Sequence, residues 1–281
     1  MQQASFSVKD IPAFETEAKI ALISTINEIG LPHITLITTL QALGTNELVW
    51  GQFTEGLSKQ HVQNNPKTGF LIMTMDRSIW RGKATWYAQK NEGPEYEMFN
   101  LKPMFRYNAY FGIHTIHYMH LNTVGPKESI PYISLLLSIL FTRIARFSCP
   151  DNPEQQGLNT WSYAFVNRLD TLKFMAFIDD DHHPKIIPII QCQAMDKNRL
   201  IFSPLAYNHE LKSLKQGQKI AIFALSLSME SVLIRGSFLG FFSSRLIETG
   251  QIAIEWIYNS MPPTPGQIYP VNPIQPIENF N

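Results

Sequence analysis

The second half of this 281-residue chain repeats the first. Pro32 and Pro184, Leu48 and Leu200, Val62 and Leu214, and Lys67 and Lys219 each stand 152 positions apart (184 − 32 = 152), and Arg81-Gly82 returns as Arg235-Gly236 at 154. A constant offset over apolar and turn positions marks one unit used twice, with two residues inserted between, because chance matches drift in register. The repeated stretch covers 20–86 and again 173–241, far longer than a solenoid period.

Short apolar runs and turn residues alternate within the first copy. Residues 20–23 close on Asn27-Glu28-Ile29-Gly30, where glycine accepts a positive φ. Over 33–40, Ile34, Leu36 and Leu40 fall on one face and Thr35, Ile37 and Thr39 on the other, a core face against one that can line a polar ligand. A third strand follows at 48–52. Over 54–64 the period switches, with Thr54 as the expected N-cap and Asn65-Pro66 as the stop, so a short helix is expected. Strands resume at 70–75 and 79–87.

Five or six antiparallel strands with one short helix between the third and fourth predict a small barrel, and a mainly β chain. The second copy repeats the strands at 174–178, 186–192, 200–203, 220–226 and 232–241, and the helix at 208–215. Residues 91–167 belong to neither copy; their apolar run, 130–141, reads as a buried helix. A last helical turn is expected at 251–258, and the six prolines of 262–276 predict a polyproline arm. The expected organisation is a first unit at 1–90, an aromatic-rich and helical insert at 91–160, a second unit at 161–258 and a Pro-rich arm at 259–281.

Composition removes several function classes. The 23 basic and 23 acidic side chains cancel, which leaves no electrostatic footprint for nucleic acid. The longest apolar run has about a dozen residues against the ~20 needed to cross a bilayer, and the polar start has no signal core, so no membrane partner and a cytoplasmic location are expected. Cys149 and Cys192, the only cysteines, have neither a close pairing nor a zinc spacing.

The order of a strand, Gly30-Leu31-Pro32-His33, a second strand, a short helix ending in Asn64-Asn65-Pro66-Lys67, a further strand and Ile79-Trp80-Arg81-Gly82-Lys83-Ala84 resembles the FMN-binding split β-barrel proteins similar to pyridoxamine 5′-phosphate oxidase. The resemblance covers 18–87, and 172–241 more weakly. Members of that family usually pair two barrels across a dimer interface and hold FMN in the seam. The resemblance therefore implies two tandem split β-barrel units forming an intrachain pseudo-dimer, present as a monomer or a homodimer. It implies FMN as cofactor and an FMN-dependent oxidoreductase acting on a small molecule. A non-catalytic flavin- or haem-binding module is the alternative. Nothing near the C-terminus supplies the second phosphate clamp that pyridoxamine phosphate itself would need.

A phosphate needs fixed donors and a compensating cation, and a helix start supplies free N–H groups at a partly positive end. Thr54, Gly56, Ser58 and Lys59 stand at such a start: Lys59 to neutralise, Ser58 and Thr54 to donate hydroxyls, Gly56 to let the backbone come close. The family pattern sets the basic residue eight places before the proline; here Lys59 is seven before Pro66 and Ser58 holds the usual place. The resemblance further assigns flavin contacts to Thr35, Leu36, Ile37 and Thr38, with Gly51 and Gln52 facing them, and to Arg77 and Ser231, from which the partner barrel reaches the ring. In the second copy Glu210 replaces Ser58, and a carboxylate there repels phosphate, so one FMN site per chain is expected.

Other constellations carry less. His114, His117 and His120 gather three metal ligands neither as a strand nor as a helix, so no metal is expected; stacking over a flavin or accepting a substrate proton are the readings left to them. Asp179-Asp180-Asp181-His182-His183 falls in a hairpin and reads as a solvated turn. Trp80, Trp86, Tyr107, Tyr110 and Phe111 are candidates for packing a ring or for plain core.

Overall fold

The structure, a computed structural model, describes residues 4–52, 54, 56–103, 112–147, 157–244, 247–259 and 266–271. The chain divides into two compact units, one of residues 1–131 with 176–187 and one of 132–175 with 188–281.

In the first, strands β1 (Lys19–Ile26), β2 (Pro32–Leu36), β3 (Gln41–Ala42), β4 (Glu47–Gln52), β5 (Lys67–Thr74), β6 (Ser78–Lys90) and β7 (Thr115–Val124) form an antiparallel sheet in the order β2-β1-β5-β6-β7-β4-β3, and β8 (Glu128–Ser129) pairs with β6. Phe6, Phe14, Trp50, Phe70, Ile72, Trp80 and Met119 make its core. The short helix α1 (Ile11–Glu15) sets Phe14 edge-on against Trp80, ring centroids 5.0 Å apart. Helix α2 (Leu57–Asn64) packs on β1 and β2, and α3 (Pro94–Asn100) on β7.

Helices α4 (Tyr132–Phe147) and α5 (Thr160–Asn167) precede the second copy. Its strands β9 (Leu172–Ile178), β10 (Pro184–Pro188), β11 (Gln193–Ala194), β12 (Arg199–Phe202), β13 (Lys219–Leu225), β14 (Ser231–Ser244) and β15 (Ile247–Asn259) follow the order β10-β9-β13-β14-β15-β12-β11, the first sheet's order over again; β16 (Gly266–Tyr269) pairs with β15. Individual hydrogen bonds recur at the sequence offset. Ile37 N donates to Ala21 O and Ile189 N to Lys173 O, Leu40 N to Ile37 O and Cys192 N to Ile189 O, Leu43 N to Glu47 O and Met195 N to Arg199 O. The chain is mainly β, two tandem barrel units of one topology.

The Arg-Gly pair shared by the copies has a packing reason. A β-carbon on Gly82 would lie 2.1 Å from the Thr123 carbonyl oxygen, and one on Gly236 2.0 Å from that of Ala253. Both glycines sit beside a register shift, Lys83/Ala84 in the first sheet and Arg235/Gly236 in the second, where neighbouring strands press together.

Several expectations are corrected. Residues 91–167 are not outside both copies: β7 joins the first sheet between β6 and β4 as the counterpart of β15. Residues 115–119 are all buried, so β7 shows no alternation by which it could be told from an insert. Residues 251–258 form strand, not helix. Ile252 and Ile254 are buried, then Ile257 and Asn259, because the shift beside Glu255 moves the buried phase by one, and a period of two broken once imitates helical spacing. The helix expected over 54–64 begins at Leu57, the one expected over 208–215 is the short α6 (Asn208–Leu211), and within the Pro-rich arm 266–269 is strand β16. Of the apolar run at 130–141, residues 132–141 belong to α4, whose outward side is exposed rather than buried.

Candidate functional site

Helix α2 starts without a side-chain cap. Gly56 is its N-cap residue, in extended backbone, and no acidic residue stands in the first turn. Thr54, expected to cap it, lies exposed ahead of the helix and makes no capping bond. Ser58 and Lys59, by contrast, are buried in the first turn, because α2 turns that side toward β1 and β2. Lys59 Nζ lies only 3.1 Å from where a β-carbon on Gly56 would stand, so the ammonium is folded back over the helix start. The Ser58 hydroxyl is buried with no hydrogen-bond partner among the described residues. A buried ammonium and a hydroxyl meet there at the positive end of a helix, a set of groups that suits an anion.

The start of α2 opens on a cavity of about 290 Å³ lined by Gln52, Lys59, Gln60, Gln63, Gln89, His114 and Thr115. Its floor is fixed by a relay. The Trp86 indole N–H, which can only donate, reaches His117 Nδ1 at 3.1 Å, so His117 carries its proton on Nε2 and donates it to Gln52 Oε1 at 2.7 Å. The Gln52 amide group is thereby committed as donor. His117 is fully buried and stacks on Trp50; burial first, then the charge of Lys59, pushes its pKa down to about 3. It is neutral at physiological pH.

The remaining sequence-assigned residues separate into groups. Thr35 and Leu36 end β2, half-buried, and Thr38 is half-buried beyond it, whereas the Ile37 side chain is part of the first core. Thr39 closes that segment onto β4: its hydroxyl donates to Gly51 O at 2.8 Å and accepts from Gly51 N at 3.2 Å. It is Thr39, the residue after the assigned 35–38, that the structure brings to Gly51, and Ile113 fills the space before Gly51, its Cδ1 2.8 Å from a β-carbon there. Arg77 is exposed in the β5–β6 turn at φ +65°, and Ser231 is buried at the start of β14 opposite Leu225. His120 is exposed, stacked on Tyr87 and 3.1 Å from Glu47. Among the described residues no three His, Cys, Asp or Glu side chains are grouped to hold a metal. The Asp179–His183 turn counts with the first unit, and its Asp179 and Asp181 carboxylates both accept from Lys83, at 2.7 and 2.8 Å, rather than facing solvent alone. Trp80 is core and Trp86 is the donor to His117; Tyr107, Tyr110 and Phe111 lie outside the described residues.

Sequence reasoning missed His117's partners, Ile113 and the cavity wall, all consequences of β7 lying beside β4. In the second copy the corresponding place is closed by protein. Leu211, fully buried, stands where Lys59 would be, Tyr207 takes a left-handed conformation before α6, and α4 supplies hydroxyls: Ser203 N donates to Thr142 Oγ1 and Ala206 N to Ser138 Oγ, each at 2.8 Å.

No protein-family model matches the chain, and no curated protein sequence matches it. Among solved structures, HupZ from Group A Streptococcus is 14% identical, over 42% of this chain and 91% of that one, with a TM-score of 0.36. An FMN-binding protein from Syntrophomonas wolfei subsp. wolfei is 15% identical over 42% of this chain and 83% of its own, TM-score 0.36. An F420 reductase is 13% identical over 41% and 94%, TM-score 0.33. These are among the chains it is similar to, and the seven-strand order repeated in its two eight-stranded sheets fits a tandem split-barrel arrangement.

Proposed function

We propose that the first unit binds a flavin mononucleotide by its phosphate at the start of α2, as a flavin-dependent oxidoreductase acting on a small molecule. The observation that carries this reading is the buried Lys59 ammonium folded over Gly56 beside the Ser58 hydroxyl, which has no hydrogen-bond partner among the described residues. The residues fit the phosphate end of the group: a cation, a hydroxyl and an uncapped helix start converge there. The polar cavity beside them, about 290 Å³, is at the low end of ligand sites and suits the hydroxylated chain that follows a phosphate.

The flavin, when bound, supplies the electron chemistry. Lys59 neutralises the phosphate and Ser58 donates to it. Gln52, oriented by His117, presents its amide as a donor, and Thr35, Leu36 and Thr38 offer short side chains and backbone for the ring. Gly51 and Arg77 are assigned to the ring by resemblance, and a ring seated against Gly51 requires Ile113 to give way.

The test is an absorbance spectrum of the purified full chain with added FMN, and FMN fluorescence titration of Ser58→Ala/Lys59→Ala. Twin flavin bands and a loss of affinity of at least about 10-fold with unchanged circular dichroism are expected, as for removal of one or two charge-assisted bonds of about 1.5–3 kcal/mol each. Undiminished FMN binding by the double variant overturns the phosphate assignment, and a Soret band in place of flavin bands overturns the cofactor.

A further inference from the structure

Helix α4 is turned inside out. Its buried side is Leu135, Ser138, Thr142 and Ala145, mostly small or hydroxylic, with the two hydroxyls spent on the backbone N–H groups of Ala206 and Ser203. Its outward side carries Ile133, Leu136, Leu137, Leu140, Ile144 and Phe147, exposed from 37% at Ile144 to 79% at Ile133 and Phe147. A surface helix ordinarily does the reverse, burying its apolar stripe and wetting its polar one. Monomeric proteins rarely leave contiguous apolar patches beyond a few hundred Å² in water; these six side chains expose on the order of 600 Å², near the ~800 Å² that each partner gives to a stable interface.

We propose that two copies of the chain join through this face, α4 against α4 across a two-fold axis. The stripe positions 133, 136, 140, 144 and 147 lie symmetrically about Leu140, four and seven residues to either side. An antiparallel pairing on an axis through Leu140 sets Leu140 on its own mate, Leu136 on the second copy's Ile144 and Ile133 on its Phe147. That is the self-complementarity an isologous contact requires, and apolar side chains at this spacing interdigitate when two helices pack. A lipid surface fits less well. Helices that lie in membranes keep a basic polar face toward water, whereas here the opposite face is docked on its own unit. The only charged residues of α4 are Arg143 and Arg146, and Arg146 is bonded to the Tyr163 hydroxyl at 2.8 Å.

Sedimentation of the full chain tests this. The unaltered protein is expected as a dimer, and Leu136→Glu and Leu140→Glu as monomers with unchanged circular dichroism, since both positions face outward. In a Cys149→Ser background, Leu140→Cys is expected to form a disulfide-linked dimer on mild oxidation, and Ile29→Cys, more exposed at 78% against 51%, is not. A monomeric unaltered protein, or a dimer that both Glu variants keep, overturns the proposal. So does a monomer that pellets with phosphatidylcholine–phosphatidylglycerol vesicles and loses that binding in Leu140→Glu, which assigns the face to lipid.

Discussion

The imidazole of His117 lies flat on the indole of Trp50, centroids 3.8 Å apart and planes 6° from parallel, with both ring nitrogens engaged by Trp86 and Gln52. Burial holds its pKa down at about 3, against about 6.5 in the unfolded chain. Between those values the unfolded state binds the proton and the folded state does not, so stability is full above about pH 6.5 and falls as the pH drops toward 3. The His117 share of that slope is at most about 1.4 kcal/mol per pH unit. His117→Phe keeps the flat ring but leaves Gln52 Oε1 and the Trp86 N–H without this partner, and is expected to cost about 2–4 kcal/mol at pH 7. Urea melts from pH 4 to 7.5 should show a flatter pH dependence for the variant; identical slopes would show that His117 is not the group being titrated.

Gly51 and Ile113 form a second coupled pair. A methyl group at Gly51 would meet Ile113 Cδ1 at 2.8 Å and Cγ2 at 2.9 Å, and Ile113 is itself buried. Gly51→Ala is expected to cost about 1–3 kcal/mol by overpacking, and Ile113→Ala about 2–5 kcal/mol by leaving a cavity. Together they should cost less than the sum by 1 kcal/mol or more, because the added methyl takes part of the vacated space. Additive losses in a double-mutant cycle of denaturation midpoints would show that the side chain can swing away without strain.

How much of this was legible beforehand depended on whether local pattern and tertiary packing agreed. The repeat was legible because Pro32 and Pro184 open matching strands, β2 and β10, and Gly82 and Gly236 sit at close approaches that only glycine tolerates. The anion-seeking helix start was legible in outline, since Gly56, Ser58 and Lys59 are close in sequence, but where α2 begins was not: Thr54 has capping chemistry and the chain simply does not use it. Strands β7 and β15 were illegible for opposite reasons, one buried on both faces and one bulged at Glu255. With β7 unrecognised, His117 could not be placed beside Gln52, a partner 65 residues away. The second copy's loss of the site was half legible: Glu210 signalled it, but the hydroxyls of Ser138 and Thr142 lie outside the repeat and gave no sequence signal.

The two Arg-Gly glycines give the sharpest test of the repeat as a physical unit. At Gly82 and Gly236 the obstructing atom is a backbone carbonyl of the adjacent strand, 2.1 and 2.0 Å from the missing β-carbon, and a backbone in mid-sheet cannot rotate out of the way as a side chain does. Gly82→Ala and Gly236→Ala are each expected to cost about 3 kcal/mol or more, by forcing β6 from β7 or β14 from β15 at the bulge. Gly30→Ala is the control. It has open space around it and pays only for its φ of +79°, about 1 kcal/mol. Thermal melts should therefore lower both sheet variants well below the turn variant and by similar amounts, because the same contact recurs in both copies. A Gly236→Ala protein melting within a degree or two of the unaltered chain would mean that the second sheet relaxes where the first does not, and that the copies share strand order without sharing the close approach that sets it.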